Sequence, residues 1–205
     1  MIFSRFTEFQ QLLIAWLVLG FCFSAKTIFN SIYEFPMAFI SSLIAVGAGF
    51  LGHELAHKFI AQKFSWKASF KLWPQGLLLA LFITLISGGQ FIFAAPGAVY
   101  LVPTSFVSNL NQARKEFGLV SLSGPLMNII FAVIFFTLGQ LSNNYVIINI
   151  FFTGFYINLF LAAFNMIPFS PLDGTKIFLW NKLIWAIVAL PTWITLIFIL
   201  SGYHF

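Results

Sequence analysis

Residues 37–61 read MAFISSLIAVGAGFLGHELAHKFIA, an apolar run with two histidines, a glutamate and a lysine near its end. A helix crosses the hydrocarbon core of a bilayer in about 20 residues, so this run is long enough to span a membrane. Its five positions 53–57 include His53, Glu54 and His57. Because one ionisable residue at membrane depth costs at least about 2.5 kcal/mol, three of them together indicate a compensating interaction, such as a bound metal ion.

The spacing of these three residues is typical of a zinc site. On a helix, His53 and His57 share one face, so both imidazoles can bind one Zn2+. Glu54 then faces the remaining open position, where a water molecule would lie. The alternative interpretation is a polar cluster that lines a water-filled cavity without a metal.

The composition restricts the class of protein. Of the 205 residues, 60% are hydrophobic, 20% aromatic and 7% charged, whereas about 25% of the residues of a soluble domain are charged. The chain is therefore predicted to be an integral membrane protein with several spans. Its net charge of +5 suits the anionic headgroups of a lipid bilayer, and nothing in it requires a nucleic acid.

Five apolar stretches have spanning length, and a sixth is ambiguous. The sixth, residues 76–93, has a short apolar part that is broken by Ser87, Gly88 and Gly89. Residues 66–73 and 91–102 are β-prone, with Pro96 and Gly97 predicted as a turn between strands. The five predicted spans are residues 11–29, 37–61, 118–141, 145–168 and 177–200.

The distribution of basic residues favours a sixth segment that does not cross. If residues 76–93 enter and return on one side, and the N-terminus is cytoplasmic, nine of the ten Lys and Arg residues lie inside and only Lys26 lies outside. A crossing segment would give five on each side, against the positive-inside rule.

The predicted fold class is thus an all-α polytopic membrane protein with about five transmembrane helices, one re-entrant apolar segment and small membrane-associated β elements. We expect residues 1–205 to form one domain, with a motif-bearing core at about 37–174.

A second group of candidate residues lies in residues 165–174, NMIPFSPLDG. Its two prolines end the preceding helix, so Asp173 follows on unwound chain. A catalytic zinc takes three protein ligands and leaves one position open, and Asp173 is the best candidate for the third. The alternative is a carboxylate that only caps the next helix. The other candidates are less well placed, namely Glu8, Glu34, Glu116 and His204.

Three motifs in this order resemble those of the site-2 protease family of intramembrane zinc metalloproteases. They are HELAH at 53–57, GPLMN at 124–128 and PLDG at 171–174. The resemblance implies a helical core in which three helices contain the motifs, with one zinc ion per chain. It also implies hydrolysis of peptide bonds within the transmembrane segments of single-span membrane proteins. The insertion at residues 76–93 departs from the family pattern.

The resemblance assigns roles to individual residues. His53, His57 and Asp173 would bind the zinc, and Glu54 would act as general base. Asn128 would stabilise the oxyanion or orient the substrate backbone, although it could equally hydrogen-bond a neighbouring helix. Residues 91–102 could pair with an extended substrate, which would make Pro96 and Gly97 substrate-binding residues; otherwise they form an inert turn.

Other functions are compatible with the same residues. A zinc peptidase of another class would use a downstream glutamate, for which only Glu116 is available. A transporter or metal channel could use the His, Glu and Asp side chains as a transient ion site, and an inactive homologue could hold membrane clients. The favoured prediction is a protease in the cell membrane, with its active site toward the cytoplasmic side.

Overall fold

The structure, a computed structural model, describes residues 6–103 and 109–202, which are mostly helical with one small sheet. Arg5 and His204 lie outside these ranges. A 3-10 turn, Ile32–Glu34, precedes the helix Phe35–Val46 (α3), and a π-helical turn, Gly47–Leu51, joins it to the helix Gly52–Lys63 (α4). The elements are α1 (Glu8–Ser24), α2 (Lys26–Asn30), α3 (Phe35–Val46), α4 (Gly52–Lys63), β1 (Trp66–Leu72), α5 (Pro74–Ile86), β2 (Gly97–Pro103), α6 (Leu110–Leu141), α7 (Tyr145–Asn165), α8 (Asp173–Trp180) and α9 (Lys182–Leu200).

Five helical stretches of the described chain are long and apolar enough to cross a membrane, as the sequence predicts. They are Glu8–Asn30, Ile32–Lys63, Leu110–Leu141, Tyr145–Asn165 and Lys182–Leu200. The outward side of α9 shows why a bilayer is the natural solvent for this chain. Ile187, Ile194 and Ile197 lie on one stripe and are each 63–66% exposed. Such a surface would be unfavourable in water and is satisfied by lipid.

Two of the helix boundaries that differ from the prediction are determined by asparagine residues. The predicted last span, 177–200, is divided because Asn181 ends α8 and caps α9, accepting hydrogen bonds from the N–H groups of Leu183 and Ile184. α6 begins at Leu110 rather than at residue 118, because Asn109 caps a polar first segment that hydropathy does not detect. Both differences result from local capping by asparagine.

The two strands form an antiparallel sheet that runs in register from Trp66 opposite Pro103 to Leu72 opposite Gly97. The predicted turn between strands at Pro96 and Gly97 is wrong. Gly97 begins β2, residues 91–95 are not a strand, and the partner of β2 is β1. Pro96 lies just outside the strand, where its carbonyl accepts from Trp73 N–H at 2.7 Å. The register could not be read from residues 91–102 alone, since the partner strand lies on the other side of α5.

The two outer edges of this sheet differ. On the β1 side, Phe70 N–H donates to Glu8 Oε1 at 2.7 Å and Leu72 N–H donates to Gln11 Oε1 at 2.9 Å. These two N–H groups therefore point away from β2, and in an antiparallel pair the residues opposite them must also point outward. The outward residues of β2 are Gly97, Val99 and, by the same alternation, Leu101. Side chains of α1 thus cap one edge, while β2 forms the other.

The apolar part of the sixth segment forms the short helix α5, which ends at Ile86, directly before the break at Ser87, Gly88 and Gly89. After α5 ends, Gly89 packs so closely against the backbone of Lys26 and Ala25 that it has no room for a side chain. Its φ of +77° also favours glycine. Residues 90–95 then lead back to Pro96, which is hydrogen-bonded to Trp73 immediately before α5. The position of this segment relative to a bilayer stays a prediction.

Candidate metal centre

α4 positions both histidines and the glutamate of the first motif. His53, Glu54 and His57 are buried, with 4–7% of their surfaces exposed. The two imidazole rings are perpendicular, with centroids 4.5 Å apart. The helix therefore directs two nitrogen atoms and one neighbouring carboxyl group into the same small volume, as the i, i+4 spacing predicts.

Asp173 enters this volume from a distant part of the chain. α7 ends at Asn165, and α8 begins at Asp173. Gly174 lies directly against the carbonyl oxygens of Met166 and Ile167, so a side chain there would collide with the start of the loop that follows α7. This close turn places the Asp173 carboxylate beside the histidines. The capping interpretation is wrong: the N-cap residue of α8 is Leu172, no side chain makes a capping hydrogen bond there, and the Asp173 carboxylate contacts the histidines instead.

His53, His57 and Asp173 form what we call the His–His–Asp cluster. His53 Nε2 lies 3.1 Å from Asp173 Oδ2, His57 Nε2 lies 2.9 Å from the same oxygen, and the two Nε2 atoms are 2.9 Å apart. The three atoms thus form a nearly equilateral triangle. Three ligands at about 2.0–2.1 Å on one face of a tetrahedral zinc are about 3.4 Å apart, so a small expansion would fit the ion.

The hydrogen bonds of the other ring nitrogens test whether a cation suits this triangle. His57 Nδ1 is 2.7 Å from the carbonyl oxygen of Val120, which only accepts, so Nδ1 bears the proton. His53 Nδ1 is 2.6 Å from Asn128 Oδ1, which also accepts. In the neutral rings both Nε2 atoms therefore present lone pairs, and they face a carboxylate oxygen. Three facing acceptors repel one another unless a cation lies between them, so the donor set fits a zinc ion.

Glu54 lies beside the cluster, on the cavity that the three cluster residues line. Among the described residues, none provides a hydrogen-bond partner to the buried Glu54 Oε2. Glu54 and the three cluster residues line a cavity of about 40 Å3, which is large enough for water. A buried acceptor at such a cavity is well placed to receive a proton from a water molecule.

The structure also places the other predicted residues. Asn128 is fully buried; its Oδ1 contacts His53, and its Nδ2 donates to Gly49 O at 3.0 Å and to Asn158 Oδ1 at 3.3 Å. Its proposed contact with substrate stays a prediction. Pro96 and Gly97 line the same cavity as the cluster, and their role in substrate binding also stays a prediction.

Two residues near the cluster were not selected from the sequence. Lys176 Nζ is 3.2 Å from Asp173 Oδ1, the carboxylate oxygen that faces away from the histidines. Asn158 contacts Asn128 from α7. A sequence signal existed for Asn158, because an amide in the middle of an apolar span needs hydrogen-bond partners inside the protein.

Glu116, the third ligand of the alternative zinc peptidase class, does not belong to the cluster. Glu116 accepts hydrogen bonds from Trp66 Nε1 and Gln112 Nε2, and Glu8 binds Lys58. Within residues 6–103 and 109–202, the His–His–Asp cluster is the group of His, Cys, Asp and Glu side chains that could hold a metal ion.

Two known proteins are similar to this chain. One, from Methanocaldococcus jannaschii, is named as a putative zinc metalloprotease; it is 43% identical over 167 residues, which cover 78% of this chain and 82% of the relative. The other, from Bacillus subtilis, has the same description and is 31% identical over 156 residues, 70% of each chain. No family model matches the chain, and no solved structure matches it. The donor set of the cluster and the names of both relatives agree on zinc, which is the cofactor of this protein.

Proposed function

The chain belongs to the same family as these two zinc metalloproteases, and from this premise we propose that it is an intramembrane protease of the site-2 protease type. Its substrates would be single-span membrane proteins, cut within their transmembrane segments. The observation on which this proposal rests is the buried His–His–Asp cluster, formed by two residues of a helix of spanning length and by the first residue of α8. A metal centre enclosed by membrane helices suits a peptide bond that is also within the membrane.

In this proposal, each residue of the site has a distinct task. His53, His57 and Asp173 hold the ion, and Lys176 holds the second oxygen of Asp173 so that Oδ2 faces the histidines. When bound, zinc supplies an activated water molecule and polarises the scissile carbonyl group. Glu54 accepts the proton of the water through its free oxygen and then donates it to the leaving nitrogen.

The open edge of β2 offers a way to bind the substrate. A peptide bond inside a helix is inaccessible, so the substrate must unwind locally before it is cut. The outward backbone groups of β2 belong to Gly97, Val99 and Leu101, and all three residues line the cavity at the cluster. An unwound segment could pair with this edge as an added strand, which would hold it extended beside the metal.

Transport is the second function that the residues allow. Glu54 fits hydrolysis, because a buried acceptor beside the ligands is positioned for the proton transfer that a peptidase requires. The names of both relatives also favour hydrolysis.

The test uses the purified protein in lipid nanodiscs, loaded with zinc and incubated with a library of single-span segments. We expect mass spectrometry to detect cuts within the apolar segment of some members. Glu54→Gln should retain one zinc per chain and lose cleavage by at least about 100-fold. The matched control, Glu34→Gln, changes an exposed glutamate and should cleave normally.

Two results would contradict the proposal. One is a zinc-loaded wild type that cuts no member of the library, and the other is Glu54→Gln that cuts at the wild-type rate. Zinc flux into sealed vesicles that depends on Glu54 would instead support transport.

A further inference from the structure

Asn158 is an uncharged polar residue in the middle of α7, and it is fully buried. All its hydrogen-bonding atoms have partners. Its Nδ2 donates to Gly154 O at 2.9 Å and to Ala45 O at 3.4 Å, and its Oδ1 accepts from Asn128 Nδ2. A buried amide with a complete set of partners has one defined orientation, because both carbonyl oxygens can only accept.

The orientation of Asn158 determines that of Asn128. Since Asn158 presents Oδ1, Asn128 must direct Nδ2 toward it, and the second N–H of that amide reaches Gly49 O. The oxygen of Asn128 is then left to face His53 Nδ1 at 2.6 Å. It can only accept there, so the proton of the neutral ring lies on Nδ1 and the lone pair lies on Nε2, on the side of the cluster.

The backbone before the first motif is shaped around the same pair of amides. A Cβ atom on Gly49 would lie 2.9 Å from Asn158 Oδ1 and 3.0 Å from Leu161 Cδ1, so a side chain at position 49 would displace the Asn158 amide or the Leu161 side chain. Gly49 belongs to the π-helical turn that immediately precedes α4. Such turns are often found at functional sites, where they redirect backbone groups.

We propose that Asn158 is a positioning residue for the metal site, which it controls through Asn128 and His53. The inference rests on the zinc site of the proposed function. Without Asn158, one N–H of the buried Asn128 amide loses its acceptor, and the amide is no longer fixed. His53 would then be held less firmly in the tautomer and the ring orientation that bind zinc. Partners of this kind typically change metal affinity by about 10–100-fold.

The test measures zinc affinity by competition with a chelator, in the absence of substrate. Asn158→Leu, which has a similar volume and no hydrogen bonds, should bind zinc about 10–100-fold more weakly. The Co2+-substituted variant should show altered visible absorption bands. Asn149→Leu is the matched control, because it removes an exposed asparagine from the same helix, and it should match the wild type in both measurements.

A double-mutant cycle separates positioning from general loosening of the helices. If Asn158 acts through Asn128, the variant with both Asn128→Leu and Asn158→Leu should bind zinc as Asn128→Leu alone does, within about threefold. Asn158→Asp is the conservative variant. Its neutral acid form keeps both the oxygen that faces Asn128 and one donor, so it should restore most of the affinity and the cobalt spectrum even if Asn158→Leu fails to fold.

The outcomes distinguish this inference from the proposed function. Unchanged zinc affinity and an unchanged cobalt spectrum in Asn158→Leu would overturn it, as would additive losses in the double variant or an Asn158→Asp that binds no better than Asn158→Leu. A wild type that binds zinc but cuts no client would contradict the protease while leaving the role of Asn158 intact.

Discussion

Gly124 shows how one missing side chain allows the metal centre to form. A Cβ atom at this position of α6 would lie 2.5 Å from His57 Nε2 and 2.6 Å from both Nε2 and Cε1 of His53. These contacts are shorter than any van der Waals contact, so α6 can approach the histidines only at a glycine. The GPLMN motif therefore begins with glycine because a side chain at this position would collide with the imidazoles on α4.

We predict that Gly124→Ala weakens zinc binding by at least about 10-fold, because the added methyl group displaces both rings from the Asp173 carboxylate. Chelator competition on the purified protein measures the change. Gly139→Ala is the matched control on the same helix, since its Cβ would meet the ring of Phe152 at 3.3 Å, far from the cluster. Equal zinc affinity in the two variants would contradict this account.

The sequence predicted the residues of the cluster, but not the contacts that orient them. The spacing of His53 and His57 follows from helix geometry, and the scarcity of acidic residues pointed to Asp173. The acceptors on the far side of each ring are Val120 and Asn128, which are 63 and 75 residues away from the histidines that they contact. These contacts depend on how α6 crosses α4, which no local pattern records.

At the scale of elements, side chains of α1 cap one edge of the sheet, and under the proposed function the other edge binds the substrate. Glu8 and Gln11 of α1 accept the outward N–H groups of β1, which prevents that edge from pairing further. The outward groups of β2 instead face the cavity, through Gly97, Val99 and Leu101. This asymmetry is what strand addition by a substrate requires.

We predict that Val99→Pro reduces cleavage of a client segment by at least about 10-fold and leaves zinc affinity unchanged. Proline removes an N–H that points away from β1, so the ladder between the strands keeps its hydrogen bonds. Val99→Ala keeps the N–H and is the control for the lost side chain. Cleavage is measured by mass spectrometry on variants that contain as much zinc as the wild type. Normal cleavage by Val99→Pro would mean that the substrate does not pair with β2 at this position.

Element by element, the apolar helices were predictable, but the division of the last span and the strand pairing were not. Five spans follow from apolar length, because a bilayer demands about 20 residues of hydrophobic helix. The division between α8 and α9 depends on a single cap at Asn181. The strand pairing depends on contacts between residues about 25–37 positions apart. Hydropathy reports neither of these.

The whole molecule has an uneven distribution of positive charge. Of the nine Lys and Arg residues in the described part of the chain, eight belong to the elements at one end of the bundle, where the chain enters α1 and leaves α4. Contacts join these elements: Lys58 binds Glu8, Trp66 binds Glu116, and Arg114 binds the carbonyl of Leu179. Lys26 lies apart from them, at the far end of α1. The positive-inside rule then favours a cytoplasmic position for the charged end and for the cluster beside it.

The same arrangement predicts that residues 76–93 enter the membrane from the cytoplasmic side and return to it. The hydrogen bond between Trp73 and Pro96 supports this prediction, because it joins the two ends of the segment.

The test introduces single cysteines at Lys71, Lys115 and Tyr33 in a Cys22→Ala background. An impermeant thiol reagent is applied to intact cells and to inverted vesicles. Lys71→Cys and Lys115→Cys should react only in inverted vesicles, and Tyr33→Cys, at an exposed position between α2 and α3, only in intact cells. Labelling of Lys71→Cys and Lys115→Cys from opposite faces would mean that the segment crosses the membrane; α6 and α7 would then be inverted, and the Asp173 end of α7 could not meet the histidines.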